Sequence, residues 1–220
     1  MLAIAGGKGG CGKTTTTIGL ATVLAAAGYR PLVVDADTDM PNVHHLAEID
    51  IIGGIDAVAS GDTLERASQP SPAFPGVRFL TAGSRKALDR ALDRLRSWSG
   101  PVLIDCPTGV DVSGTRPLGV ADSVLLVSTD QPQCLEDTRT TGTVARNLGS
   151  TPCGIFVRET VMGPVPRTVG PDPVLETVPT VDPFSFDEPR LRKSWRSLAR
   201  QTVEDQLSTS DGTGGIFNRR

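Results

Sequence analysis

The sequence has little from which to build a disulfide framework, a metal knuckle, a basic nucleic-acid face or a membrane span. Its four cysteines, Cys11, Cys106, Cys134 and Cys153, lie far apart and never form C-x-x-C, so neither a zinc site nor a paired framework is indicated. Acidic residues outnumber basic ones, 25 to 22, and a broadly basic surface is not expected. No run approaches the roughly 18 apolar residues of a membrane span. Met1–Ala5 is too short an apolar stretch for a signal peptide, and the chain reads as cytoplasmic. Aromatics make up 4% of the chain, with Tyr29 the single tyrosine. Lysine is scarce too. Only Lys8, Lys13, Lys86 and Lys193 stand among 22 cationic residues, and two of the four share one short motif.

What is present describes an ordinary globular chain of 220 residues, 38% hydrophobic and 21% charged. That length favours one domain with a core of its own, here expected over 1–207, with 208–220 as a flexible polar tail. Apolar runs with β character alternate with helical segments, the pattern of a parallel sheet covered on both faces. Strands are expected at Leu2–Ala5, Pro31–Val34, Val77–Leu80, Pro101–Ile104, Ser123–Val127 and Cys153–Val157, the last clear one. Helices are expected over Thr14–Ala27, closed by Gly28, around Leu88 and Leu95, over Gln131–Leu148 and over Arg190–Gln206. Between Arg158 and Arg190 seven prolines break the chain into loops and short extended pieces. The fold class is therefore α/β, a single doubly wound, mostly parallel sheet.

The strongest chemical signal is Gly7-Lys8-Gly9-Gly10-Cys11-Gly12-Lys13-Thr14, a complete G-x-x-x-x-G-K-[ST] between a predicted strand and a predicted helix. Glycines let backbone N–H groups wrap a phosphate, and the helix start adds its positive end. Lys13 is placed to bridge β- and γ-phosphates, and the Thr14 hydroxyl to join the shell of Mg²⁺. Two further segments end apolar strands on carboxylates: Val34-Asp35-Ala36-Asp37-Thr38-Asp39, and Ile104-Asp105-Cys106-Pro107-Thr108-Gly109. In an open α/β sheet such positions face the crevice that binds ligands.

Together these motifs resemble the MinD/ParA family of deviant Walker A ATPases, a P-loop NTPase fold of the SIMIBI type, over about residues 2–157. The run Lys8-Gly9-Gly10-Cys11-Gly12-Lys13-Thr14-Thr15 is similar to the family's K-G-G-x-G-K-T-[TS]. The resemblance implies that Lys8 reaches the phosphates of a partner's ATP, so that a homodimer forms in the ATP state. It implies that Asp37 positions the attacking water, with Asp39 its rival, that Asp35 supports the Mg²⁺ side, and that Asp105 holds Mg²⁺ through a water. Cys11 fills a variable position as a small residue, although a thiol at a positive helix start can have a lowered pKa. The family's Asn-Arg pair near the adenine lacks its Asn at Val157-Arg158-Glu159, while Val178-Pro179-Thr180-Val181-Asp182 resembles the later proline loop over the base.

Within this family, iron–sulfur and nickel-insertion relatives need cysteine pairs, and tyrosine-kinase relatives need a tyrosine cluster; all are absent. Adjacent His44 and His45 on a helix point about 100° apart and read as solvated. The expected function is a slow, partner-stimulated ATPase switch that positions a division site, motility or chemosensory machinery, or cell shape. The alternatives are a ParA-like partition ATPase, for which Arg190, Arg192, Lys193, Arg196 and Arg200 offer a local cationic patch against the acidic balance, and a nucleotide-binding scaffold with little turnover. Membrane docking through Gly215–Arg220 would rest on Ile216 and Phe217 alone.

Overall fold

In the computed structural model, residues 1–109, 112–160 and 164–204 are described. The expected tail and its membrane-docking segment lie outside these residues. The chain opens with β1 (Leu2–Ala5), α1 (Lys13–Ala26) and β2 (Leu32–Asp35). Three short helices follow, α2 (Val43–Leu46), α3 (Gly54–Ala59) and α4 (Leu64–Ala67), then β3 (Gln69–Pro70) and β4 (Arg78–Leu80). Next come α5 (Arg85–Leu92), β5 (Val102–Asp105), α6 (Val112–Val120), β6 (Ser123–Thr129), α7 (Pro132–Asn147) and β7 (Thr151–Glu159). The described chain ends with β8 (Thr168–Val169), β9 (Asp172–Pro179), α8 (Pro189–Ala199) and a π-helical turn at Arg200–Glu204.

The described strands form one sheet in the order β3-β4-β2-β5-β1-β6-β7-β9-β8. The run from β4 to β9 is parallel throughout, and the two-residue strands at either edge pair antiparallel. Such short edges limit the unpaired backbone offered to other chains. Alternate residues of each strand supply alternate cores. Ala3, Val34, Ile104 and Leu126 pack beneath α3 to α7, while Ile4, Val33, Leu103 and Leu125 pack beneath α1 and α8. The chain winds from β1 outward past β5 to β2, and later adds β6 on β1's other side. The crevice where the order reverses therefore opens at the C-terminal end of β1.

Three sequence expectations are corrected. Cys153–Val157 is not the last strand, because the proline-rich stretch contains β9, which pairs in parallel with β7 from Ile155 to Glu159. Pro173 and Pro179 stand near the two ends of β9, where the ladder tolerates a missing N–H. The helix near Leu88 stops at Leu92, and Leu95 lies in a separate 3₁₀ turn. The α-helix expected over Arg190–Gln206 gives way at Arg200 to the π turn.

Candidate functional site

The loop from Gly6 to Gly12 joins β1 to α1 at the reversal point. Gly10 and Gly12 take left-handed backbone with φ of 76° and 100°, which L side chains rarely adopt. A Cβ at either would meet nothing within 4 Å, so both face open space. Gly7 is needed for a different reason: a Cβ there would lie 2.3 Å from the Cβ of Asp137 on α7. No side chain caps the start of α1, and its leading amides and dipole are left for an anion. The sequence-predicted Lys13 is buried in this cradle. Lys8, by contrast, is exposed together with Gly9, and makes no hydrogen bond or ion pair with any described residue. Cys11 is buried, and burial pushes its thiol up rather than down. The lowered pKa that a thiol at a helix start can have does not arise here, and Cys11 reads as the small filling residue the sequence suggests.

Strand register brings the acidic residues together. Asp35 on β2 lies opposite Asp105 on β5, and Ile4 of β1 pairs with Asp105 from the other side. The Thr14 hydroxyl donates to Asp105 Oδ2 at 2.7 Å. Thr17, one turn on, lies 3.1 Å from Asp105 Oδ1 and 2.9 Å from the Lys13 carbonyl. Burial pushes the Asp105 carboxyl up to about 6, against the lowering effect of Thr14 and Lys13. Asp35 is pushed up to about 7, chiefly by burial and then by Asp105. Its oxygens accept the backbone N–H groups of Asp37 at 3.1 Å, Asn42 at 3.2 Å and Val43 at 3.1 Å, so Asp35 folds the loop that follows it. Asp37 Oδ1 accepts from Asp39 N at 3.3 Å and Met40 N at 2.9 Å. Asp39 turns outward to an exposed ion pair with Arg85 at 3.2 Å. Thr108, after β5, approaches the loop, with its Cγ2 3.8 Å from where a Gly9 Cβ would sit.

The hard oxygen donors Thr14 and Asp105 suit Mg²⁺. Among the described residues no three His, Cys, Asp or Glu side chains converge on a metal position. A Mg²⁺ here would therefore share its shell with phosphate oxygens and water, as that ion commonly does. Beside the loop lies a cleft of about 170 Å³. Cys11, Gly12 and Thr15 form one wall, Pro179 and Thr180 at the end of β9 another, and Phe156 and Trp195 contribute aromatic surface. The cleft thus has Pro179 in the same lining as Thr15 and Cys11. Arg158 also lines it and donates to the Gly10 carbonyl at 2.9 Å.

His44 and His45 do not splay apart: their ring centroids are 3.9 Å apart, and His44 is half-buried, lowering its pKa by desolvation and by its neighbour. Sequence reasoning missed Thr17, Arg158 and Trp195 as site residues. Four consecutive threonines, Thr14–Thr17, at the start of an apolar helix were the available signal for Thr17. Nothing local marks the other two, which reach the loop only through sheet order and helix packing.

Fold and site define a P-loop nucleotide-binding α/β domain. Residues 2–181 match the CobQ/CobB/MinD/ParA nucleotide binding domain, and the chain belongs to that family. It is 26% identical over 148 residues to the septum site-determining protein MinD of Synechocystis, covering 62% of this chain and 56% of that protein. The chain thus spans little more than half the length of that relative. An uncharacterized ATP-binding protein of Methanocaldococcus jannaschii is 28% identical over 214 residues, 88% of this chain and 76% of its own. The fold is that of the septum site-determining protein MinD from Pyrococcus horikoshii, solved with Mg-ADP, with TM-score 0.77 and 24% identity over 97% of this chain and 98% of that one. Among the described residues no helix is long and apolar enough to cross a membrane.

Proposed function

We propose that the chain binds Mg-ATP in the β1–α1 loop, hydrolyses it slowly, and uses the ATP state to dimerise and position a cellular structure. Lys13 would neutralise the β/γ-phosphates within its own protomer, while Thr14, and Asp105 through a water, would hold Mg²⁺, which would supply charge neutralisation of the phosphates. Asp35 supports that side by fixing the loop that carries Asp37, and Asp37 orients the attacking water. An activating protein partner is part of this reading.

The observation that carries the proposal is the contrast between two lysines of one loop. Lys13 is buried and Lys8 is exposed with no bond to any described residue. A cation at the loop's edge is free to meet a partner's phosphates across a two-fold axis, a contact made twice per dimer. Sedimentation of wild type and Lys8→Ala with ATP and with ADP tests it. Wild type is expected to dimerise with ATP only, whereas Lys8→Ala binds Mg-ATP within a few-fold of wild type and stays monomeric. A monomeric wild type with ATP, or an equally dimeric mutant, defeats the reading.

One observation favours a second reading. On α8, Leu191, Trp195 and Leu198 are buried, while Arg190, Lys193 and Arg196 face outward. This row suits a salt-sensitive contact with DNA phosphates. Co-sedimentation of the ATP form with duplex DNA, lost as salt rises, would move the assignment toward a partition ATPase.

A further inference from the structure

The short helix α2 carries both histidines of the chain, His44 and His45. Neighbouring helical positions diverge by about 100°, yet these two rings turn toward each other, with centroids 3.9 Å apart and planes inclined by 40°. Neither ring makes a hydrogen bond or ion pair with any described residue, so the imidazole nitrogens are uncommitted. Both rings line an open depression of about 410 Å³, shared with Glu48, Asp50, Gln69 and Pro70. The helix beneath them is fixed at each end. Asn42 and Val43 donate their N–H groups to Asp35 Oδ2 at 3.2 and 3.1 Å, and the buried Ser71 hydroxyl donates to the Ala47 carbonyl at 2.6 Å. Gln69 Nε2 donates to the Asp50 carbonyl at 2.7 Å, which ties the edge strand β3 to the same rim.

We infer that His44 and His45 together bind one divalent transition-metal ion of the class that takes imidazoles at right angles, Ni²⁺ or Cu²⁺, with water in the remaining positions. Two imidazole nitrogens about 2.0–2.1 Å from one metal place their ring centroids about 4.5 Å apart at a right angle and about 5.2 Å apart at a tetrahedral angle. The observed 3.9 Å lies nearer the first, so small side-chain rotations give the tetragonal arrangement that Cu²⁺ and Ni²⁺ prefer. Partial burial, and then the neighbouring ring, hold His44 below the usual imidazole range. That ring is neutral near pH 7, the form that binds metal. Glu48 and Asp50 add negative charge along the same lining, which favours a cation. Among the described residues no third His, Cys, Asp or Glu side chain converges with the pair, and water therefore completes the shell. Mg²⁺ prefers oxygen donors. The imidazole pair is thus separate from the Thr14 and Asp105 donors and owes nothing to the nucleotide.

The chain has no further histidine, so any imidazole found on a bound metal belongs to this pair. Pulsed electron paramagnetic resonance of the untagged full chain, with less than one equivalent of Cu²⁺, is expected to show two imidazole nitrogens on the ion. Calorimetry with Ni²⁺, which spares the free thiols, is expected to show one site per chain without nucleotide and in excess Mg²⁺. His44→Gln and His45→Gln are each expected to weaken Ni²⁺ binding by at least the about 10- to 100-fold that even an outer-shell partner is worth. Ni²⁺ is expected to raise the melting temperature of wild type, since it binds the folded form, and to leave both variants unmoved. A Cu²⁺ ion carrying one imidazole or none overturns the inference, as does Ni²⁺ affinity retained in either variant. The imidazole count is read on wild type, so it decides the matter should a variant fold poorly.

Discussion

In the proposed function Asp37 serves both architecture and chemistry. Its Oδ1 is committed to the turn at Asp39 and Met40, while Oδ2 accepts no hydrogen bond from any described residue. The side chain is half-exposed at the mouth of the crevice, where the second oxygen can orient a water. Asp37→Asn keeps an acceptor for the turn and removes the charge. It is expected to cut ATP turnover by about 100-fold or more while leaving ATP affinity within a few-fold, a pattern seen when an interaction is made only in the transition state. Asp39→Ala should stay near wild-type turnover, because that carboxylate is spent on a surface pair with Arg85. Phosphate-release assays on both variants decide it; the opposite ranking would transfer the role to Asp39. The D-x-D spacing made these residues legible as candidates, but it could not separate Asp37 from Asp39. Which way each carboxylate faces depends on Asp35, whose three backbone N–H partners bend the loop.

Among the elements, the pairing of α1 with α8 holds loop and cleft together. Gly19 sits mid-helix in α1, where a Cβ would lie 2.3 Å from the Trp195 ring. Ordinarily Gly→Ala within a helix gains up to about 1 kcal/mol. Here the added methyl has no room against a side chain that is 1% exposed, and overpacking a core costs about 1–3 kcal/mol. Gly19→Ala is therefore expected to destabilise the protein and lower its melting temperature by several degrees, with Trp195 emission altered in the folded state. A variant more stable than wild type in thermal melts would show that the helices do not meet as described. From the sequence both helices were visible, the first between the glycine loop and Gly28, the second through the spacing of Leu191, Trp195 and Leu198. Their contact was not, because nothing in either segment names its partner. The strand β9 was hidden for a related reason: prolines mask β character locally, and only pairing with β7 reveals an extended ladder.

For the whole molecule, the crevice carries an electrostatic cost that depends on pH. Asp35 and Asp105 are both buried, with carboxyls raised to about 7 and about 6 from an ordinary value near 3.8. Raised pKa values mean that the folded state holds these protons more tightly than the unfolded chain. Between about pH 4 and pH 7 the folded form thus binds more protons, and stability falls as pH rises. Without nucleotide or Mg²⁺, these two groups are expected to make the protein more stable near pH 5.5 than near pH 8. In the nucleotide-bound form the Mg²⁺ ion would sit beside the ionised carboxylates and favour them, and should flatten that slope. Melting temperatures across this range in chelator and in Mg-ATP test both statements, and a protein that gains stability toward pH 8 in chelator contradicts them.

The sequence by itself determined the parts that depend on near neighbours along the chain. The glycine loop, the helix that follows it and the apolar strands ending in Asp35 and Asp105 are local patterns, set by backbone freedom, dipole and short continuous apolar runs buried on both faces. What only the tertiary structure decided is what meets at the loop. Sheet order put β5 beside β1 and brought Asp105 to Thr14. The parallel addition of β9 to β7, with α8 packed on α1, brought Pro179, Arg158 and Trp195 to the edge of the same site. Side chains separated by more than a hundred residues are joined by burial and strand pairing, energies that belong to the whole fold and leave no pattern at any one segment.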